Sequence, residues 1–267
     1  PSIRHATDLG SHSPMSSPSD NRWFGSTLEF GSWRVRLAAP DERDAIMALR
    51  AKSFRGTASD NDSDAFDDTS LHLWVGHVGQ GPSATARLAL HHTPAQVLAG
   101  YSAQFYDLSR LAQAGLPVLE LGRLCRAEAS KNAEADVLRL IWAGVARIVL
   151  KTNAKRLVGC TSFPTINPAD FAPVLSLLSA QHVGPHALRP DRKPGQSHSL
   201  ASHQAPMHPS TARQMPPLLR AYLMLGGWVS DHIVIDPDLA TSHIFTCVDI
   251  ATMPEARKRL LTQLARG

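Results

Sequence analysis

The chain has 267 residues, 43% of them hydrophobic, and a formal charge of +4. That supplies the core of one large domain or two small ones, and it is too mildly basic for non-specific nucleic-acid binding, which asks for a denser cationic face. No apolar run is long enough to span a bilayer, and the cysteines, Cys125, Cys160 and Cys247, are scattered through apolar runs without a CxxC, as reduced, packed thiols of a cytoplasmic protein would be.

Residues 1–26 are rich in Ser, Pro and His, lack a hydrophobic signal core and are expected to form a disordered tail, leaving 27–267 as a single domain. SWRVRLAA (32–39) alternates and predicts a strand. PDERDAIMALRAKSF (40–54) starts on Pro40, carries acids in its first turn and spaces Ile46, Leu49 and Phe54 as a helix does. LHLWVGHV (71–78) and ATARLALHH (84–92), divided by turn residues, predict two more strands, and LPVLELGRLC (116–125) a fourth. Leu138, Ile141, Trp142, Val145, Ile148 and Val149 then form one face of a long helix. RLVGCTSF (156–163) reads as a buried strand and PADFAPVLSLLSAQH (168–182) as a helix opened by Pro168. Between 183 and 215 the composition shifts to His, Pro, Ser and Gln, which predicts a long mobile insertion. A short helix ended by glycines (PPLLRAYLMLGGWVSD, 216–231), two strands (HIVIDP and HIFTCVDI) and a basic amphipathic helix (PEARKRLLTQLAR, 254–266) complete the chain. The order predicts a mixed α/β fold with a partly antiparallel central sheet and a strand–helix–strand crossover from Val118 to Phe163.

Several constellations carry chemistry on paper and fail on inspection. DNDSDAFDD (60–68) suggests a calcium loop through Asp60, Asp62 and Asp64, but Ala65 and Leu71 stand where glycine and glutamate are required, so a solvated acidic loop is expected. His182 and His186 are separated by Gly184 and Pro185, which break any helix between them, and no metal site is predicted. Cys160 and Ser162 end a strand without a GxSxG elbow, so Cys160 reads as a packed thiol. Glu120 and Arg123 differ: both sit in an otherwise apolar strand, where a charge is costly unless paired or used. A bulge at Gly122 would bring them to one side, as a structural ion pair or as a carboxylate base beside a substrate.

The junction that follows, LELGRLCRAEASKNAEADVLRLIW (119–142), has no glycine between Arg123 and Gly144 and carries acids at Glu128, Glu134 and Asp136. Such a junction is poor at gripping a pyrophosphate, which needs close backbone approach and a positive helix terminus.

The motifs HLWV, YSAQFYDLS, LELGRLC, VGCTSFP, PPLLRAYLMLGGWV and VIDPDLATSHIF, taken in order from about Ser32 to Met253, resemble the ornithine-lipid N-acyltransferases. These are members of the GNAT superfamily and relatives of the N-acyl amino acid synthases. The resemblance implies a GNAT-type mixed, splayed central β-sheet flanked by helices, with the acyl thioester in the splay. It implies transfer of a 3-hydroxyacyl chain from acyl carrier protein to the α-amino group of an amino acid, giving a lyso-aminolipid. The donor would be a phosphopantetheine thioester, with no bound cofactor, and the glycine-free junction agrees with a carrier protein docking on basic residues. Arg126, Lys131, Arg147, Lys151 and Lys155 are the candidates.

Within that reading Glu120 is the expected base, and backbone N–H groups from Gly122 to Leu124 are the expected oxyanion donors. Arg123 would hold the substrate carboxylate or orient Glu120, and His72, which matches a family histidine, is an alternative base. Three positions depart from the family pattern: CDHLLV becomes Ser70–Leu71–His72, YS..EFDL acquires Phe105 before Tyr106 and Asp107, and TTDV acquires His243. The loss of acids favours a neutral acceptor such as glutamine, whereas ornithine would need Asp107, Asp236 or Asp238. Competing readings are an acetyl-CoA-dependent small-molecule N-acetyltransferase and a non-catalytic GNAT-like binding module. The C-terminal helix, with Leu260, Leu261 and Leu264 among arginines and a lysine, keeps peripheral contact with an anionic inner membrane open.

Overall fold

The computed structural model of the chain describes residues 21–57, 62–127, 131–195 and 197–267, with only the backbone of Asn21 and of 131–135. In chain order the elements are β1 (Leu28–Phe30), β2 (Trp33–Leu37), α1 (Arg43–Arg55), β3 (Leu71–His77), β4 (Pro82–His91), α2 (Pro94–Leu98), β5 (Tyr106–Asp107), α3 (Ser109–Gln113) and β6 (Val118–Arg126). There follow α4 (Lys131–Thr152), β7 (Arg156–Phe163), α5 (Ala172–Gln181), β8 (Asp191–Arg192), β9 (Ser197–Ser199), α6 (Pro217–Met224), β10 (Trp228–Asp236), β11 (Thr241–Asp249) and α7 (Glu255–Leu264).

The main sheet runs β1-β2-β3-β4-β6-β7-β11-β10-β9. Every neighbouring pair is antiparallel except β6 and β7, which are parallel and joined through α4. This is the mixed, helix-flanked sheet that the pattern of elements predicts. Alternation divides its faces: Leu73, Val75, Ala86, Leu88, Leu119 and Leu121 pack with Ile141, Val145 and Ile148 of α4, while Val118, Val158, Val234 and Phe245 form a second cluster with Tyr106 and Leu111. Helix α1 enters through a 3₁₀ turn at Pro40–Glu42 whose Glu42 accepts from both guanidinium nitrogens of Arg36, and it ends on Gly56 at φ +87°.

Two expectations change. Residues 1–20 lie outside the described residues, but the expected tail does not reach Ser26, because Phe24 is buried in the core beside α4. Residues 183–215 are not a loose insertion. β8 pairs with β5, β9 pairs with β10, and Leu200 and Met215 pack against Val174, Leu175 and Leu178. Its few apolar residues are spaced too widely to show as a pattern, yet Val183, Leu200 and Met215 pack into the cluster around α5.

Candidate active site

Strands β6 and β7 stay in register from Val118↔Arg156 to Leu121↔Gly159 and then part. A side chain at Gly159 would place its Cβ 2.4 Å from the Leu121 carbonyl oxygen, so glycine is required where the strands last touch. Just beyond, Thr85 pairs with Cys125 and Arg87 with Gly122, so β6 spends one residue more than β4 across this step. Arg123 takes a left-handed φ of +47° there. The expected bulge therefore exists, and Glu120 and Arg123 both reach Tyr101: the Tyr101 N–H donates to Glu120 and Arg123 donates to the Tyr101 hydroxyl.

A cavity of about 230 Å³ fills the gap between the strands, bordered by Gly122, Arg123 and Leu124 on one side and Cys160, Asp236 and His243 on the other. Arg123 and Leu124 have no register partner on β4 or β7. A second cavity of about 230 Å³ lies against β4 and β6 and is bordered by Arg87, His91, Gly100 and Glu120. Gly122 and Tyr101 border both cavities, so the two are neighbours across the bulge.

Glu120 is buried and fully engaged. Its carboxylate accepts from His91 Nε2 at 2.9 Å, from the Ser102 N–H at 2.7 Å and from the Tyr101 N–H at 3.2 Å. Burial disfavours its charge, but these donors outweigh burial and hold its pKa below the ordinary carboxylate value. An anionic Glu120 only accepts, so Nε2 of His91 carries the proton of this hydrogen bond, which leaves Nδ1 as the ring nitrogen that can take up another. A Cβ at Gly100 would lie 2.7 Å from Glu120 Oε2 and 3.0 Å from His91 Nε2, so glycine lets the loop close on the pair. Read as a sequence, LALHH shows only a strand end. His91 pairs with Val118 across the ladder and so lies diagonal to Glu120, a contact that needs the register.

Arg123 does not hold Glu120. It pairs with Asp62 at 3.1 Å and Asp64 at 3.3 Å. Asp62 and Asp67 also take the buried Arg50, at 3.0 and 2.6 Å, and Asp64 and Asp67 take Arg87 at 2.5 and 3.0 Å. The stretch expected as a solvated acidic loop is thus one side of a buried ionic network, assembled by arginines from α1, β4 and β6; Asp60 lies outside the described residues. Arg123 is spent in this network, whereas Arg87 borders the second cavity and keeps a buried Nη2 without a partner. His72 belongs to the network's edge: Nε2 is 3.4 Å from the Asp67 carbonyl oxygen, and burial lowers its pKa to about 4. It borders neither cavity, so the structure does not bring it beside Glu120.

Of the expected substrate residues, Asp236 and His243 border the splay cavity, and Phe105 packs edge-on against the His243 ring at 4.7 Å. Burial lowers the His243 pKa to about 4, Tyr106 hydroxyl approaches its Nδ1 at 3.2 Å, and its Nε2 has no partner. Asp107 is elsewhere: it accepts from the Ser109 N–H and hydroxyl at the start of α3. Asp238 pairs with Arg55 at 2.7 Å. Leu71, one of the departures from the family pattern, belongs to the core cluster under α4. An acid there would face that core and not a substrate.

The expected docking residues do not form one patch. Lys131 and Lys151 stand at opposite ends of α4, roughly 30 Å apart at 1.5 Å per residue. Lys155 lies beyond the Lys151 end, and Arg147 donates to the Ala265 carbonyl oxygen, tying down α7. Only Arg126 and Lys131 lie near the bulge end of β6, and the Lys131 side chain and Glu128 fall outside the described residues.

A sequence-family model described as an acetyltransferase (GNAT) domain matches residues 47–143. An L-ornithine N(alpha)-acyltransferase of Rhodobacter capsulatus is 29% identical over 184 residues, 69% of this chain and 70% of that protein. One of Brucella abortus is 29% identical over 243 residues, 82% of this chain and 85% of that protein. Among solved structures, an N-acyl amino acid synthase from uncultured soil microbes aligns over 86% of this chain and 97% of its own, at 12% identity and a TM-score of 0.47. The resemblance read from the ordered motifs is borne out by these relatives.

Proposed function

We propose that this chain, a GNAT-type protein related to the L-ornithine N(alpha)-acyltransferases, acylates the α-amino group of an amino acid. The observation that carries the reading is a pair of cavities that share Gly122 and Tyr101 as a border. A thioester in the splay and an amine in the second cavity come together there. The acceptor enters as an ammonium and loses a proton to Nδ1 of His91, whose other nitrogen is held by Glu120. The neutral amine attacks the thioester carbonyl, and backbone N–H groups of Arg123 and Leu124 stabilise the oxyanion. The carbon–sulfur bond breaks, the thiolate leaves and takes up a proton, and the product is an amide. Arg87, which borders the second cavity, binds the acceptor carboxylate.

For the acceptor, Asp236 decides between the two readings. Glu120 is held by three donors, Asp107 is engaged by Ser109 and Asp238 is paired, which leaves Asp236, on the splay side of Gly122 and Tyr101, to meet a second ammonium that extends past them from the second cavity. Its Oδ1 accepts from the N–H groups of Asp238 and Leu239, which an asparagine oxygen would still do. Ornithine is therefore preferred over lysine, glutamine and glycine when all are offered together. Asp236→Asn lowers kcat/KM for ornithine by roughly 10- to 100-fold, the range of a lost hydrogen bond to a charged group, and spares glutamine. A wild-type preference for glutamine in the N-acyl products would return the neutral-acceptor reading.

The donor is a 3-hydroxyacyl chain on acyl carrier protein, the product a lyso-aminolipid. The support is the glycine-free junction after β6, which offers no pyrophosphate cradle. The carrier-protein thioester should exceed the coenzyme A thioester of the same chain in kcat/KM. Charge reversal at Lys151 and Lys155 should leave its KM unchanged, because both lie at the far end of α4. Equal use of both donors would refute the carrier-protein assignment.

A further inference from the structure

Helices α4, α6 and α7 enclose a groove of about 390 Å³ on the face opposite the second cavity. Its floor is apolar, built from Leu138, Trp142, Ala221 and Leu261. The expected amphipathic face of α7 is only partly spent on packing. Leu264 is buried and Arg147 secures the helix end, while Leu260 is 47% exposed. Across the groove Met224 is 55% exposed. Three arginines border the groove, Arg139, Arg220 and Arg257, and no acid does among the described residues. None of the three has an acid partner among the described residues. Pro217 borders both this groove and the splay cavity.

An apolar floor with protruding aliphatic side chains and a rim of one charge fits an interface of hydrocarbon under anionic headgroups. A folded acidic protein would fit the rim, but it would leave Met224 and Leu260 to find pockets on its own surface. We propose that this face docks on an anionic phospholipid bilayer, with Met224 and Leu260 entering the interface and the arginines on headgroup phosphates. The inference stands on the surface alone and does not depend on the acceptor or donor assigned above.

Flotation with phosphatidylglycerol/phosphatidylcholine vesicles tests it. The full chain should co-float at low salt, release at high salt, and ignore pure phosphatidylcholine vesicles. Arg220→Gln should weaken partitioning about 5-fold, and Arg139→Gln/Arg220→Gln/Arg257→Gln about 100-fold, at roughly 1 kcal/mol per cation near an anionic surface. Met224→Asp/Leu260→Asp should also abolish flotation. These side chains are exposed, so thermal melts should match wild type. Absence of co-flotation, or wild-type flotation by the triple variant, would overturn the proposal. So would binding of purified acyl carrier protein to this face with no binding to vesicles, which would make the partner a protein.

Discussion

Glu120→Gln is expected to lower kcat/KM by about two to four orders of magnitude, the usual range for losing general-base function. The route of the loss is particular to this site. Glu120 accepts three hydrogen bonds, two on Oε2 and one on Oε1, and is buried against His91, so its part is to fix the proton of His91 on Nε2. A glutamine keeps the shape but turns one oxygen into a donor, which must face either the Ser102 N–H or the Tyr101 N–H and His91. The substitution should therefore also cost roughly 1–3 kcal/mol of stability, as an unsatisfied buried donor does. Activity has to be compared at a temperature where both proteins are folded. His91→Phe should lose as much activity as Glu120→Gln, and the double variant should be no worse than either, because the two act as a unit. His72→Ala should stay within a few-fold of wild type. A Glu120→Gln enzyme that turns over normally, beside a His72→Ala enzyme that does not, would exchange the roles of the two sites.

The parts of this site differ in how far a sequence can reveal them. β6 announces itself because Glu120 and Arg123 stand among apolar residues, and the bulge follows from needing both on one side. α4 is legible because its apolar residues repeat every three to four positions over many turns. His91 is not, since a histidine at a strand end has no signature until the β4–β6 register sets it beside Glu120. The acids of 62–67 misled for a similar reason. A run of aspartates reads as solvated unless one knows that Arg50, Arg87 and Arg123 converge on it from three elements. The basic residues of α4 misled in the opposite sense: a repeat of every fourth residue looks like one patch, yet the rise of the helix carries its two ends too far apart for one partner's arm.

Arg50→Met should destabilise the chain by about 3–5 kcal/mol, the range for removing one partner of a buried ion pair. Arg50 is 0% exposed and donates to the Asp62 carboxylate, the Asp62 carbonyl and the Asp67 carboxylate. Methionine fills much of its volume but leaves two buried carboxylates with only Arg87, Arg123 and Arg55 to share. The pH dependence distinguishes this loss from simple repacking. Burial raises the Asp67 pKa, but the hydrogen bond from Arg50, with smaller contributions from the Asp64 N–H and Arg87, outweighs it and brings the value down from 3.8 to about 2. A carboxylate with a depressed native pKa adds stability that is present above its unfolded value and is lost as pH falls through the folded one. Wild type should thus lose stability from this group between pH 3.8 and about 2. Arg50→Met, with Asp67 easier to protonate, should have a shallower decline, and the gap between the two proteins should narrow in acid. Urea denaturation at pH 7 and at steps down to about pH 2 measures both. Arg50→Met/Asp67→Asn should recover part of the loss at pH 7, since it removes one stranded charge. The same variants report on function, because the 62–69 segment supplies Phe66 and Thr69 to the second cavity. Loosening that wall should raise the KM for the amino acid before it lowers kcat. A gap below about 1 kcal/mol at pH 7 would place Arg50–Asp67 in the range of a solvent-exposed pair and remove the network as the device that holds the acceptor cavity in shape.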